Sequence, residues 1–209
     1  NLRFHDGECP EAWTLGGQRL AGTAFPVTGP SSQAVRFAVG STRMWGVGLL
    51  PLGWAKFVGA PAAEYADCLR DGLNDTAFAQ FRPLAESLYG DQPDHRAEFG
   101  RIAAFFIDRL GQPLADEARI MAIHAALVDP ETASVSQLVA RAGVSQRTVE
   151  RVCARAFGFS PKLLLRRQRF LRSLAQFMLD PSLSWIKTLD CQYVDQAHFV
   201  RDFKRFMTM

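Results

Sequence analysis

Two short stretches, 50 positions apart, carry the side chains whose types and spacing could do chemistry. Ser145 and Asp195 are both helix-capping residues, and each is followed by glutamine, Gln146 and Gln196. Arginine recurs at Arg151 and Arg201, and again at Arg155 and Arg205, while Val149 and Phe199 keep an apolar position between them. These side chains can read base edges in a DNA major groove. Arginine bonds guanine O6 and N7 with two parallel N–H groups, glutamine pairs with adenine, and a carboxylate such as Glu150 accepts from cytosine N4. Ala197 and Val200 are of a size to touch a thymine methyl.

Base reading requires the polar face to be held outward by a packed apolar face. Around the first copy, Val135, Leu138 and Ala142 line one side of a short helix, Gly143 supplies a residue free to take positive φ, and Val144 tucks beneath the turn. Ser145 then starts a second helix whose core side is Val149, Val152 and Ala156, leaving Gln146, Arg147, Glu150, Arg151 and Arg155 outside. Two helices joined by such a turn, the second with a basic outer face, form a helix-turn-helix pattern. One helical hairpin is weak evidence, and its repetition strengthens the reading. Between the copies Ser160-Pro161 opens a long helix to about Leu179 bearing Lys162, Arg166, Arg167, Arg169 and Arg172. The second unit follows Asp180-Pro181, with Trp185, Ile186 and Leu189 expected on its first helix.

Charge divides the 209 residues in the same way. Residues 1–129 hold 11 Lys+Arg against 15 Asp+Glu, net −4, whereas residues 130–209 hold 13 against 6, net +7. A basic half joined to an acidic one suits a polyanion-binding module carried on something else, and a basic face that is merely solvated competes with that reading. The length accommodates two domains. No apolar run approaches the roughly 18 residues of a spanning helix. Asn1 opens no signal-peptide pattern, and the four cysteines, none closer than 38 positions to another, make no zinc clip; a reducing, cytoplasmic setting is expected.

The N-terminal part is of another kind. Its first 60 residues are rich in Gly and Pro, with β-prone runs at 34–39 and 44–50. Helical spacing follows, predicting helices over about 61–69, 76–88, 94–110 and 115–128. On the third of these, Phe99, Ile102, Ala103, Phe106 and Leu110 form an apolar stripe, to be buried either by its own domain or by a second copy of the chain. Trp13, Phe25, Phe37, Trp45 and Trp54 could line an apolar pocket, with ordinary core packing the competing role. The fold class expected is α+β: a small, curved, mostly antiparallel N-terminal sheet with helices, then an all-α C-terminal domain. The boundary falls near Gln112-Pro113, giving domains 1–111 and 112–209, with helix-turn-helix units at about 135–157 and 183–207.

Three segments together resemble the AraC/XylS transcription regulators: Ala142-Gly143-Val144-Ser145, Phe157-Gly158-Phe159-Ser160-Pro161, and Asp195-Gln196-Ala197-His198-Phe199 continuing to Arg201 and Phe203. The resemblance covers about residues 115–209. It implies two helix-turn-helix units on a joining helix, both recognition helices entering the major groove on one DNA face. Carried over residue by residue, it makes Arg147, Glu150, Arg151, Gln196, Ala197 and Arg201 the base readers. Gln146, Thr148, Arg155, Arg166, Arg167, His198 and Arg205 are the DNA-backbone candidates. The N-terminal half resembles the family's sensor half loosely, which implies a cupin-like sheet, a small-molecule effector, homodimerisation and RNA polymerase as a further partner. Three positions depart from the pattern: Gln192 replaces the turn glycine, Thr188 an alanine, and Thr208 the counterpart of Gly158. A non-glycine at positive φ costs about 1 kcal/mol, so a strained or different second turn is expected.

No P-loop, G-x-S-x-G elbow or G-x-G-x-x-G is present, and His5, His95, His124 and His198 are too scattered for a local metal motif. No catalytic residue, metal or cofactor is expected. DNA-alkylation repair proteins share this kind of C-terminal half, but their reactive cysteine is followed by histidine, a neighbour that Cys9, Cys68, Cys153 and Cys191 all lack. The alternatives to a regulator are therefore a repair accessory, or a binding module whose basic half is structural.

Overall fold

A computed structural model describes every residue except 181, 183–186, 208 and 209. Trp185, Ile186 and Thr208 lie outside the described residues, as does the final residue Met209.

The expected N-terminal antiparallel sheet is present, with its strands divided between two hydrogen-bonded sheets. The strands are β1 (Leu2–Gly7), β2 (Glu11–Thr14), β3 (Arg19–Leu20), β4 (Pro26–Thr28), β5 (Val35–Ala38), β6 (Thr42–Val47) and β7 (Leu69–Asp71). One sheet has the order β6-β1-β4-β7 and the other β3-β2-β5. In β1, Leu2 and Phe4 alternate onto one face and are fully buried, Leu2 opposite Val47 and Phe4 opposite Trp45 in register. Helices cover that face, and the core between contains Phe25, Val27, Trp54, Phe57, Phe78, Phe81 and Leu88.

The run at 44–50 leaves the sheet at Val47, because Pro51 opens helix α1 (Pro51–Gly53). This helix widens into a turn over Trp54–Val58, closed by Gly59 N–H on the Trp54 carbonyl at 3.0 Å. The helix expected over 61–69 is not formed. Only a 3₁₀ turn, Ala62–Tyr65, appears; Ala66 is extended, Asp67 takes φ 55°, and Leu69–Asp71 pairs with β4 as β7. Burial of Leu69 and the ladder to Pro26–Thr28 outweigh a weak local helical pattern, and Gly72 donates to the Phe25 carbonyl instead of ending a helix. The expected 76–88 helix splits into a 3₁₀ segment, Thr76–Phe81, and α2 (Arg82–Ser87), with Pro83 in the first turn of α2.

Helix α3 (His95–Leu110) is capped by Asp94, whose carboxylate accepts from Ala97 N–H. Its stripe is divided between two surroundings. Ile102 is buried and Phe106 packs edge-on against Phe57 at 4.9 Å, whereas Phe99, Leu110 and Ile107 are exposed by 59%, 56% and 69%. Ile107 lies beside the stripe and is the most exposed of the three.

Helix α4 (Glu117–Val128) begins the second core, shared with α5 (Val135–Ala142), α6 (Gln146–Val152) and α7 (Pro161–Leu179). Ile123, Leu127, Leu138, Val149, Val152, Cys153 and Phe157 fill it, and Leu52 and Ala55 of the α1 region pack on its edge. A third cluster, Phe170, Tyr193, Phe199 and Phe206, fixes α8 (Gln196–Met207) to α7.

Candidate nucleic-acid interface

The first unit is built from local signals. Ser134 and Gln137 form a reciprocal capping box at the start of α5. Gly143 ends it at φ 65°, a conformation that a side chain would disfavour. The Ser145 hydroxyl accepts from Thr148 N–H and so caps α6. With Val149 and Val152 buried, Gln146, Arg147, Glu150, Arg151 and Arg155 face solvent, as the period required. Helix α6 continues as a wide turn over Cys153–Phe157, closed by Gly158 in the left-handed region. Gly158 is doubly constrained, since a Cβ there would lie 2.8 Å from the Pro30 ring. Arginine or any other side chain would push the N-terminal half away.

The outward residues differ in how free they are. Arg147 and Arg155 make no hydrogen bond or ion pair among the described residues. Gln146 donates to Glu150 at 2.8 Å, which aligns both side chains along the helix surface. Thr148 is half-buried with its hydroxyl 3.0 Å from that of Ser145. Arg151 donates to both oxygens of Asp116 at 2.7 and 3.2 Å, and Arg119 reaches the same carboxylate at 2.7 Å. Those hydrogen bonds, Arg151 first, hold the Asp116 carboxyl well below the usual carboxylate range.

In the second unit Asp195 caps α8, accepting from His198 N–H at 2.6 Å. Gln196, Ala197, Val200, Arg201 and Arg205 are exposed, and Phe199 and Phe206 are buried. His198 turns inward: its Nε2 accepts from Arg169 at 3.2 Å and its ring meets Tyr193 edge-on at 5.1 Å. The strained turn expected at Gln192 does not occur, since Asp67 is the one non-glycine with positive φ among the described residues. The Asp190 carboxylate instead accepts from Gln192 N–H at 2.9 Å, and Tyr193 N–H bonds the Asp190 carbonyl, so an Asx turn replaces the glycine turn. Leu189, expected on a helix, lies in irregular backbone and packs on the third cluster, and Thr188 is fully buried.

The cations of α7 have mainly internal roles. Asp202, fully buried on the inner face of α8, is ion-paired with Arg166, lies 3.5 Å from Arg169 and accepts from the Tyr193 hydroxyl at 3.0 Å. Arg172 pairs with Asp190 in the same way. Arg166 thus braces α7 against α8 while remaining about a third exposed. Arg167 points toward the N-terminal half, half-buried near Pro30 and Ser31, and does not join the exposed set. Sequence reasoning missed Asp116, Asp190 and Asp202. The available signal for Asp202 was an acid at a core position, between Phe199 and Phe206, opposite a cation-rich helix. A basic cleft lined by Ser134, Lys162, Arg166, Arg169, His198 and Arg201 lies between the first helix of unit one and α8.

Among the described residues no helix is long and apolar enough to cross a membrane, and no cluster of three or more His, Cys, Asp or Glu is placed to hold a metal. Residues 138–209 match a family model described as a helix-turn-helix domain. No curated protein and no solved structure matches the chain.

Proposed function

We propose that the chain is a DNA-binding transcription regulator of the AraC type that reads two adjacent major-groove segments with α6 and α8, a reading supported by the match of residues 138–209 to a helix-turn-helix family model. The observation that carries this reading is the pairing of two capped helices, each with a buried apolar face and an outward basic one, on a single brace formed by α7. Arg147, Glu150 and Arg151 read one segment, and Gln196, Ala197 and Arg201 the other. Gln146, Thr148, Arg155 and Arg205 contact phosphates, which set affinity and its salt dependence without selecting sequence. Arg166 and His198 act through position, one bracing α8 and the other lining the cleft between the units.

The N-terminal half, residues 1–111, forms a sensing and dimerising domain, and residues 112–209 form the DNA-binding domain. Two distinct core clusters, one centred on each side of this boundary and touching where Leu52 and Ala55 pack on the second, support the division. The exposed face of α3, with Phe99, Ile107 and Leu110, supports the dimer. Selection of bound duplexes from a random pool, followed by affinity measurements at several salt concentrations, tests the reading. Two short conserved segments about one helical turn apart are expected. Binding that depends on salt but selects no sequence would leave a basic domain of structural or non-specific use.

A further inference from the structure

A cavity of about 350 Å³ lies where the two halves of the chain meet. Its size is at the lower end of the range for small-molecule sites. Trp54 supplies one wall from the N-terminal half, while Leu127 of α4, Phe157 at the end of α6 and Leu164 of α7 supply the others. Arg167 and Gln168 of α7 enter the same space. No aspartate or glutamate is among the lining residues.

Arg167 is unusual in this setting. Its guanidinium makes no hydrogen bond or ion pair among the described residues, although the side chain is half-buried. Asp67 is the nearby acid, but its two oxygens accept from Ser32 N–H at 2.6 Å and Ser32 hydroxyl at 2.7 Å. Burial lowers the Arg167 pKa from the ordinary arginine value, and Asp67 offsets only part of that. A partly desolvated cation facing a cavity with one apolar wall, Trp54, Leu127 and Phe157, and with Asn1, Ser31 and His124 elsewhere in its lining, favours an anion that can replace lost water, and the planar guanidinium fork matches a carboxylate.

We propose that this cavity binds a small monocarboxylate with an apolar body, its carboxylate on Arg167 and its body against Trp54, Leu127 and Phe157. The assignment deepens the ligand-sensing role proposed above and rests on it for its biological purpose. Its position explains how a signal would reach DNA. Phe157 ends the first recognition helix and Leu164 lies on the brace between the units, so a ligand that prefers one seating of the halves shifts the population of that seating.

Calorimetric titration of the full chain with hexanoate, phenylacetate and 4-phenylbutyrate, each beside its primary amide, tests the proposal. At least one acid is expected to bind, with its amide weaker by about tenfold or more. Arg167→Gln is expected to reduce the acid to the level of the amide, and Arg167→Lys to restore part of the difference. Unchanged thermal midpoints establish that the variants fold. Equal binding of acid and amide, full acid affinity in Arg167→Gln, or no acid binding up to about 10 mM would overturn the site. Duplex binding measured on the same preparation separates the two readings. Its absence counts against the regulator, whereas its presence without acid binding counts against the cavity alone.

Discussion

Arg151, on the outward face of α6, grips both carboxylate oxygens of Asp116, at 2.7 and 3.2 Å. A side chain proposed to read a base is therefore held by an acid at the start of α4. The pair is solvent-exposed on the arginine side, so it is weak enough to exchange for a DNA contact.

Asp116→Asn is expected to free Arg151 and tighten duplex binding several-fold, whereas Arg151→Ala weakens specific binding on the order of tenfold and relaxes choice at one or two base pairs. Quantitative gel shifts on the selected duplex and its single-base variants check both. The variant also changes the acid limb of stability. The Asp116 carboxyl is depressed in the folded state, so its contribution is complete well above 3.8, its ordinary value, and fades as pH falls below it. Asp116→Asn should flatten that part of the stability profile.

Asp202 and Arg166 give a second expectation. Breaking a buried pair costs about 3–5 kcal/mol, and the lower end applies here because Arg166 remains partly exposed. Asp202→Asn should lower the urea midpoint accordingly, with loss of the third core's near-ultraviolet signal. Arg166→Ala should lower the midpoint too. An Arg166 variant of unchanged stability that only reduced the salt slope of duplex binding would return that residue to the phosphate contacts.

The helical part of the fold was legible because its signals are local. Ser134, Ser145, Ser160 and Asp195 cap the helices they precede, and Gly143 and Gly158 take the left-handed turns. The sheet was less legible because short strands owe their register to distant partners. Leu69–Asp71 has too few residues to show a period and becomes a strand only beside Pro26–Thr28. The outward faces of α6 and α8 were legible for the same reason as the helices themselves. Which cations remain free on them was not, since Asp116 lies 35 positions from Arg151 and Asp202 lies 36 from Arg166.

The cysteines should differ sharply in reactivity. Burial pushes the Cys153 thiol up to about 12, so its thiolate is scarce at neutral pH, whereas Cys9 and Cys191 are exposed. Titration with an aromatic disulfide should modify Cys9 and Cys191 rapidly and Cys153 only on unfolding. The unfolded thiol ionises near 9.0 and the folded one does not, so the Cys153 contribution to stability should fall as pH rises through that value.

The exposed face of α3 predicts self-association. Sedimentation of the full chain at micromolar concentration should show a dimer, and Ile107→Glu should be monomeric with an unchanged thermal midpoint, because Ile107 is 69% exposed and supports no core contact. Phe106→Glu is expected to unfold the domain instead, since Phe106 packs against Phe57 and Phe81.

The central claim is that α6 and α8 each read their own major-groove segment. Guanine-N7 methylation interference on the selected duplex, with the wild type and with Arg147→Ala and Arg201→Ala, tests it most directly. Two clusters of interference on one DNA face, about 10 base pairs apart, are predicted, with Arg147→Ala erasing contacts in one cluster and Arg201→Ala in the other. A single cluster, or two variants that erase the same contacts, would contradict the account.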